Sequence, residues 1–398
     1  MAGFSKSSQS MRSSEIRRLM ALAADPTIIS FSGGMPANDL FPIASLDEIY
    51  RNLSVQAKQT AMQYGPTTGY PPLVSALKDY LRSRGLPLEG QEVIITTGAQ
   101  QAINLLCKVF VDPGDLVVTE NPSFIGALAA FLSYGAKLEA APLDSEGIDC
   151  AALKTILDRY SSRIKMVYLN PCFQNPTGII YSEARKQALL KTLAGRDVVL
   201  LEDDPYSELY FDEHDKPLTV PLKAMGKEPV PICYVGSFAK IFGPGLRLGW
   251  LLGPRAIVEK CELAKQSMDA CSPTFTQVLA REYLVRGQLS PFLASVRTAY
   301  ARRARIMLDA LSACMPAGSV SWTHPKGGFY IWVTMPGSVD ATAVFNKAIK
   351  NNAAFVIGSA FDPYRKKNNC FRLAFSNTPE HAIAEGVAII ADAIKTCL

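Results

Sequence analysis

From about residue 70 onward, short apolar runs alternate with longer stretches of helical periodicity. EVIITTG (92–98) predicts a strand, and AQQAINLLCKVF directly after it a helix. DLVVTEN (115–121) predicts a second strand, followed by helical SFIGALAAFLSYG. KMVYLNP (165–171), DVVLLED (197–203), ICYVGSF (232–238) and LRLGWLLG (246–253) continue the series, with helical stretches such as SEARKQALLKTLAG between several of them. Strands apolar along their whole length, with helices between, predict an α/β fold whose largely parallel sheet is covered on both faces.

Near residue 290 the rhythm changes. PFLASVRTAYARRARIMLDALSAC predicts a long helix leading into PKGGFYIWVTMP, then NNCFRLAFSN and a closing helix, HAIAEGVAIIADAIKTC. This pattern predicts a smaller α+β domain. At the other end, IISFSGGMPANDLFP is dense in turn formers and predicts an extended segment behind an N-terminal arm. The expected division is therefore an arm and extended segment over 1–45, joining the small domain, a large α/β domain over 46–288, and the small domain over 289–398.

Composition narrows the function classes. The chain has 398 residues, enough for one large and one smaller domain, with 48% hydrophobic and 19% charged residues and a net charge of +5. Disorder is excluded by the apolar content. Arg302, Arg303 and Arg305 are expected to form a solvated helix face rather than a nucleic-acid patch. Nine cysteines with no CxxC pair, and only three histidines, offer no metal-ligand spacing, so no metal is expected. The thiols instead suit a reducing compartment. The opening MAGFSKSSQSMRSS lacks the apolar core of a secretory signal. It reads as a mobile arm, with a transit peptide as the alternative. No apolar run reaches membrane-spanning length. A cytoplasmic protein is expected.

Ligands of open α/β sheets bind beyond the carboxyl ends of the strands, so the polar residues there matter most. Gly98, Ala99 and Gln100 open a helix, where backbone N–H groups suit a phosphate or simply make a turn. Asn175 lies in the turn-rich PCFQNPTG. Asp203 ends an apolar strand with Tyr206 three residues on, and calls either for a cationic partner or for a structural cap or ion pair. Lys240 follows another apolar strand, with Ser237 three residues before it. It is either a surface charge or a desolvated amine ready to attack a carbonyl. Arg247, flanked by leucines, predicts a part-buried guanidinium waiting for a fixed anion. Together these groups suit one ligand: a phosphate, a pyridine nitrogen, a phenolic oxygen and an aldehyde, the set that pyridoxal phosphate offers.

The motifs SGGMP, YGPTTGYPPLV, TTGAQQA, ENPSF, NPCFQNPTG, EDDPY, GSFAKIFGPGLRLGW, PKGGFYIW and FRLAFS run through the chain in one order. In them the sequence resembles, over nearly its whole length, the fold-type I pyridoxal-phosphate-dependent aminotransferases of class I/II. Within that class it is most similar to the α-aminoadipate/kynurenine-type multisubstrate enzymes. The resemblance implies that Lys240 holds the cofactor as a Schiff base and shuttles the proton. It implies that Asp203 keeps the ring nitrogen protonated, while Asn175 and Tyr206 bond the ring hydroxyl. Ala99, Gln100, Ser237 and Arg247 match the phosphate cup. Phe124 matches the aromatic stacked on the ring, where a tyrosine is common. Tyr64 matches the tyrosine that reaches the phosphate of the neighbouring subunit, which implies a homodimer with shared sites. Arg372 matches the clamp for the substrate carboxylate, assisted by Gly34 and Asn175. VIGSAF at 356–361 departs from relatives that carry a proline before the glycine. Arg17 is either an ordinary charge of an amphipathic helix or the arginine that meets a distal substrate carboxylate.

What the resemblance implies is a ping-pong transfer of an amino group from 2-aminoadipate, an aromatic or another bulky L-amino acid to a 2-oxo acid, with 2-oxoglutarate as acceptor. Three other readings compete: a lyase, decarboxylase or synthase on the same cofactor, a cofactor-sensing regulator, and a catalytically dead partner. A regulator needs a DNA-binding module, and only about thirty residues precede SGGMP.

Overall fold

The computed structural model describes Asp25 and residues 27–226 and 229–398. Its strands, in chain order, are β1 (Ile29–Ser30), β2 (Gln91–Thr96), β3 (Leu116–Asn121), β4 (Lys137–Asp144), β5 (Gly147–Ile148), β6 (Ile164–Leu169), β7 (Val199–Asp204), β8 (Ile232–Ser237), β9 (Gly249–Pro254), β10 (Ser321–Trp322), β11 (Tyr330–Thr334), β12 (Ala353–Ala354), β13 (Val356–Ile357) and β14 (Cys370–Ala374). Eight of them form one sheet in the order β2-β9-β8-β7-β6-β3-β4-β5. Pairing from β8 through β7, β6 and β3 to β4 is parallel, whereas β9 runs antiparallel to both β8 and β2. Strands β2, β3, β6, β7 and β8 therefore all end on one edge, and β9 starts there.

The central strands are wholly buried, as their unbroken apolar runs require. Every residue of β7 and β8 is buried. Separate apolar clusters line the sheet: one holds Ile94, Leu105 and Phe131, another Val118, Leu153 and Leu189. Helices Ala99–Phe110 and Arg255–Gln266 belong to the first cover, Cys150–Tyr160 and Glu183–Leu193 to the second. Their starts are chemically marked: Ser182 accepts from Arg185 N at 3.1 Å, and Asp149 accepts from Ala151 N at 2.8 Å. In Pro71–Ser83 the fully buried Leu73, Leu77 and Leu81 recur every fourth residue. Burying each contributes roughly 1.5–3 kcal/mol.

A second, antiparallel sheet has the order β10-β11-β14-β13. The helices Leu289–Cys314, Ala341–Lys350 and Glu380–Lys395 share its apolar cluster. The N-terminal segment joins this part of the chain: β1 pairs in parallel with β12.

Two sequence expectations need correction. Arg303 is not on a solvated face: it is buried, donating to Ser376 O and to Asp39 Oδ2, the latter at 3.0 Å. Strand β4, Lys137–Asp144, is absent from the predicted series because its part-exposed, mixed-polarity residues give no apolar run. No described helix is long and apolar enough to cross a membrane.

Candidate active site

A cavity of about 260 Å³ lies at the edge where the parallel strands end, walled by Gly34, Ala99, Gln100, Phe124, Asn175, Asp203, Tyr206, Ser237, Lys240, Arg247, Tyr330 and Arg372. Each reaches it by a local rule of the fold. Gly98, at φ +80, turns the chain out of β2 into the helix Ala99–Phe110, and no side chain caps that helix. Its first N–H groups are left for an anion. A Cβ on Gly98 would stand 2.8 Å from Arg247 Nη2, so the missing side chain makes room for that guanidinium. Arg247 itself is exposed and, among the described residues, its guanidinium bonds Pro244 O and Thr97 O at 3.3 and 3.4 Å, so the part-buried guanidinium expected from its leucine neighbours is not found. The leucines turn inward instead: Leu248 is 1% exposed. Ser237 ends β8, and Gln100 Nε2 donates to Gly126 O at 2.9 Å beside Phe124.

Alternation along β7 sends neighbouring carboxylates to opposite faces. Asp203 lines the cavity. Asp204 faces away, accepting from Tyr234 Oη at 2.8 Å and pairing with Arg84 at 3.3 Å. One oxygen of Asp203 accepts from Tyr168 Oη at 2.7 Å, while the other, Oδ1, is buried without a partner among the described residues. Burial pushes this carboxyl up to about 7, against the pull of the Tyr168 bond. An orphaned, desolvated carboxylate oxygen at this place wants a cationic N–H donor.

The loop after β6 is pinned beneath the cavity. Buried Glu120 accepts from Tyr181 Oη at 2.6 Å and Gln174 Nε2 at 3.1 Å. Asn170 accepts from Asn175 N at 2.7 Å and donates to Asp203 O at 2.6 Å. Asn175 is thereby presented to Arg372, whose Nη1 donates to Asn175 Oδ1 at 2.9 Å and Nη2 to Ser32 O at 2.6 Å. Its Nε–H is buried and, among the described residues, unpaired. A guanidinium held on two sides with a donor to spare is built to receive a carboxylate.

Lys240 is half-buried and donates to Gly34 O at 2.7 Å. Burial, reinforced by the positive Arg372 and Arg247, lowers its amine to about 8. A usable fraction is therefore neutral and nucleophilic near neutral pH. Gly34 thus meets Lys240, and Ser32 supplies the carbonyl that Arg372 grips.

Tyr64 lies outside this cavity and is 86% exposed. Arg17 lies outside the described residues. Residues whose roles went unassigned from sequence also appear here: Tyr168, Asn170 and Tyr330. All three sit in quoted strand motifs, KMVYLNP and PKGGFYIW, and polar residues inside apolar strands were the signal. Among the described residues no cluster of histidine, cysteine, aspartate and glutamate could hold a metal ion. The donor set fits pyridoxal phosphate: anion donors at one end, an orphaned carboxylate oxygen, two phenolic-oxygen donors and a neutralisable amine.

Residues 27–390 match the family model for aminotransferase class I and II. Among curated proteins, the chain is 38% identical to an aromatic-amino-acid aminotransferase of Thermococcus litoralis, over 98% of this chain and 94% of that protein. It is 37% identical to a 2-aminoadipate transaminase of Thermus thermophilus, over 99% and 97%. Among solved structures, the kynurenine aminotransferase of Pyrococcus horikoshii, in complex with PMP, superposes with a TM-score of 0.94 at 38% identity, covering 99% of this chain and 97% of that one.

Proposed function

The chain belongs to the class I and II aminotransferases, and from that premise we propose that it moves the amino group of a 2-aminoadipate, aromatic or other bulky L-amino acid to 2-oxoglutarate in two half-reactions. It is a pyridoxal-phosphate-dependent transaminase of fold type I, acting on small amino and 2-oxo acids. The choice of donor is supported by the names of its relatives, an aromatic-amino-acid and a 2-aminoadipate enzyme. The observation that carries the reading is that Lys240, Asp203 and Arg372 wall one cavity.

When bound, the cofactor supplies an aldehyde that takes the amino group and a ring that spreads the electron pair left by the departing α-proton. The residues of the chain do the rest. Asp203, through its free Oδ1, holds a proton at the ring nitrogen. Asn175 and Tyr206 donate to the phenolic oxygen. Phe124 covers the ring, and the N–H groups of Ala99 and Gln100, with Ser237 and Arg247, hold the phosphate. Arg372 fixes the substrate carboxylate, and in doing so orients the α-hydrogen toward Lys240. The amine of Lys240 then takes that proton and returns it at the cofactor's C4′ carbon. Proton transfer by a positioned base contributes a factor of about 10²–10⁴.

A homodimer with shared sites belongs to the same proposal. In support, Tyr64, Met62, Val55 and Ile43 are 86, 81, 74 and 60% exposed on neighbouring stretches of chain, large apolar side chains that a second copy would cover. Tyr64 would then reach the second copy's phosphate. Arg17 is proposed to meet the distal carboxylate of acidic donors. The division into 1–45, 46–288 and 289–398 is supported by the confinement of the eight-stranded sheet to 91–254 and of the four-stranded one to 321–374. Nine free thiols support a cytoplasmic setting.

The test is a half-reaction. Each of a panel of L-amino acids is added to the holoenzyme without acceptor, and the 2-oxo acid is counted against cofactor converted to its amine form. One-to-one appearance, followed by glutamate on adding 2-oxoglutarate, is expected. Carbon dioxide or ammonia in place of the 2-oxo acid would point to a lyase or decarboxylase.

A further inference from the structure

Tyr330, from β11, is 1% exposed, and among the described residues its hydroxyl bonds two side chains. It lies 2.8 Å from Tyr206 Oη and accepts from Asn175 Nδ2 at 3.4 Å. Those are the two residues read above as donors to the cofactor's phenolic oxygen, and the present inference rests on that reading. The tyrosine ring carries the Arg372 guanidinium at 4.5 Å from its centroid and packs edge-on against Phe329. Phenylalanine would satisfy those apolar contacts equally. The hydroxyl is therefore a buried polar group whose partners all belong to the site. The chain also keeps space for it: a Cβ on Gly34 would come within 2.0 Å of that oxygen.

Counting protons fixes the direction of the bonds. Tyr206 has one O–H. Once that proton is given to the phenolic oxygen, the Tyr206 oxygen can only accept from Tyr330. Tyr330 is then the donor, and its lone pairs are left to accept from Asn175 Nδ2. Successive donations along such a chain polarise one another. We propose that Tyr330 is a positioning residue: its hydroxyl orients the Tyr206 proton toward the cofactor and so stabilises negative charge on the phenolic oxygen. That charge is largest when the nitrogen joining Lys240 to the cofactor has lost its proton. Tyr330 therefore lowers the pH at which the resting enzyme's visible band changes.

The experiment is a spectrophotometric pH titration of the resting holoenzyme, without substrate. Tyr330→Phe should move the midpoint upward by about half to one pH unit, the size of one hydrogen bond between neutral groups. Placing 3-fluorotyrosine at position 330, a more acidic phenol of similar size, should move it downward, and this variant serves if the phenylalanine protein does not fold. In a Tyr206→Phe background neither change should shift the midpoint further. Tyr330→Phe with an intact band and the wild-type midpoint would overturn the proposal. So would a 3-fluorotyrosine protein with no downward shift, or shifts of undiminished size in the Tyr206→Phe background. A wild-type holoenzyme without any visible band removes the reading of Lys240 itself, and the proposal with it.

Discussion

Arg372 and Asn175 are joined by a 2.9 Å hydrogen bond from Nη1 to Oδ1, inside the protein, with both side chains less than 5% exposed. Through it the group proposed to hold the substrate carboxylate shares an asparagine with the group proposed to hold the cofactor ring. Arg372→Lys keeps the positive charge and loses the planar fork. Its kcat/KM for amino acids should fall about 100-fold, mostly through KM, with the cofactor still bound. Steady-state kinetics on one donor decide this, and an unchanged KM would remove Arg372 from the clamp.

Asp203 makes a prediction in the cofactor-free protein. Burial raises its carboxyl to about 7, whereas in an unfolded chain it would titrate near pH 3.9. The fold therefore retains a proton that the unfolded chain has released. Stability from this group is full below about pH 4 and is lost as pH rises through 7. Cofactor-free Asp203→Asn should match the wild type at pH 4 and exceed it by on the order of 4 kcal/mol above pH 7. Thermal melts across that range check it. A constant difference at all pH values would show that Asp203 is not held in a raised state. The same variant, loaded with cofactor, should lose about 10²–10³-fold in kcat.

Lys240 offers a pH test without turnover. Its amine, lowered to about 8 by burial and then by Arg372 and Arg247, must be neutral to attack an aldehyde. The rate at which cofactor-free protein captures pyridoxal phosphate should therefore rise with pH through a midpoint near 8. Stopped-flow absorbance reads it directly. A midpoint above 10 would mean an ordinary solvated lysine.

The strand ends were legible in sequence because each depends on one local contrast, a polar residue after an unbroken apolar run. Asp203, Ser237 and Lys240 stand out in that way, and the helix Ala99–Phe110 occupies the residues its periodicity marked. The remainder depends on contacts between distant segments. Tyr168 meets Asp203 across 35 residues, and Arg372 meets Ser32 across 340. No local pattern ties such pairs together. Arg247 shows the converse limit: flanking leucines said nothing about where its own side chain goes, because Leu248 turns into the core while the exposed arginine lines the open cavity.

Tyr64 separates a single-chain site from a shared one. It is 86% exposed, so Tyr64→Phe should leave the fold and its melting temperature unchanged within about 0.5 kcal/mol. If a second copy's phosphate accepts its hydroxyl bond, the same change should weaken cofactor binding about 10-fold. Equilibrium dialysis of pyridoxal phosphate, with light scattering for the dimer, gives both answers, and unchanged affinity in a confirmed dimer would contradict the shared site.

The account as a whole turns on one nitrogen. Lys240→Ala protein, purified in the presence of pyridoxal phosphate and scanned between the ultraviolet and the visible, should lack the pH-sensitive visible band of the wild type. It should also lose about 10²–10⁴-fold in turnover. A Lys240→Ala enzyme that keeps both the band and the turnover would contradict the central claim.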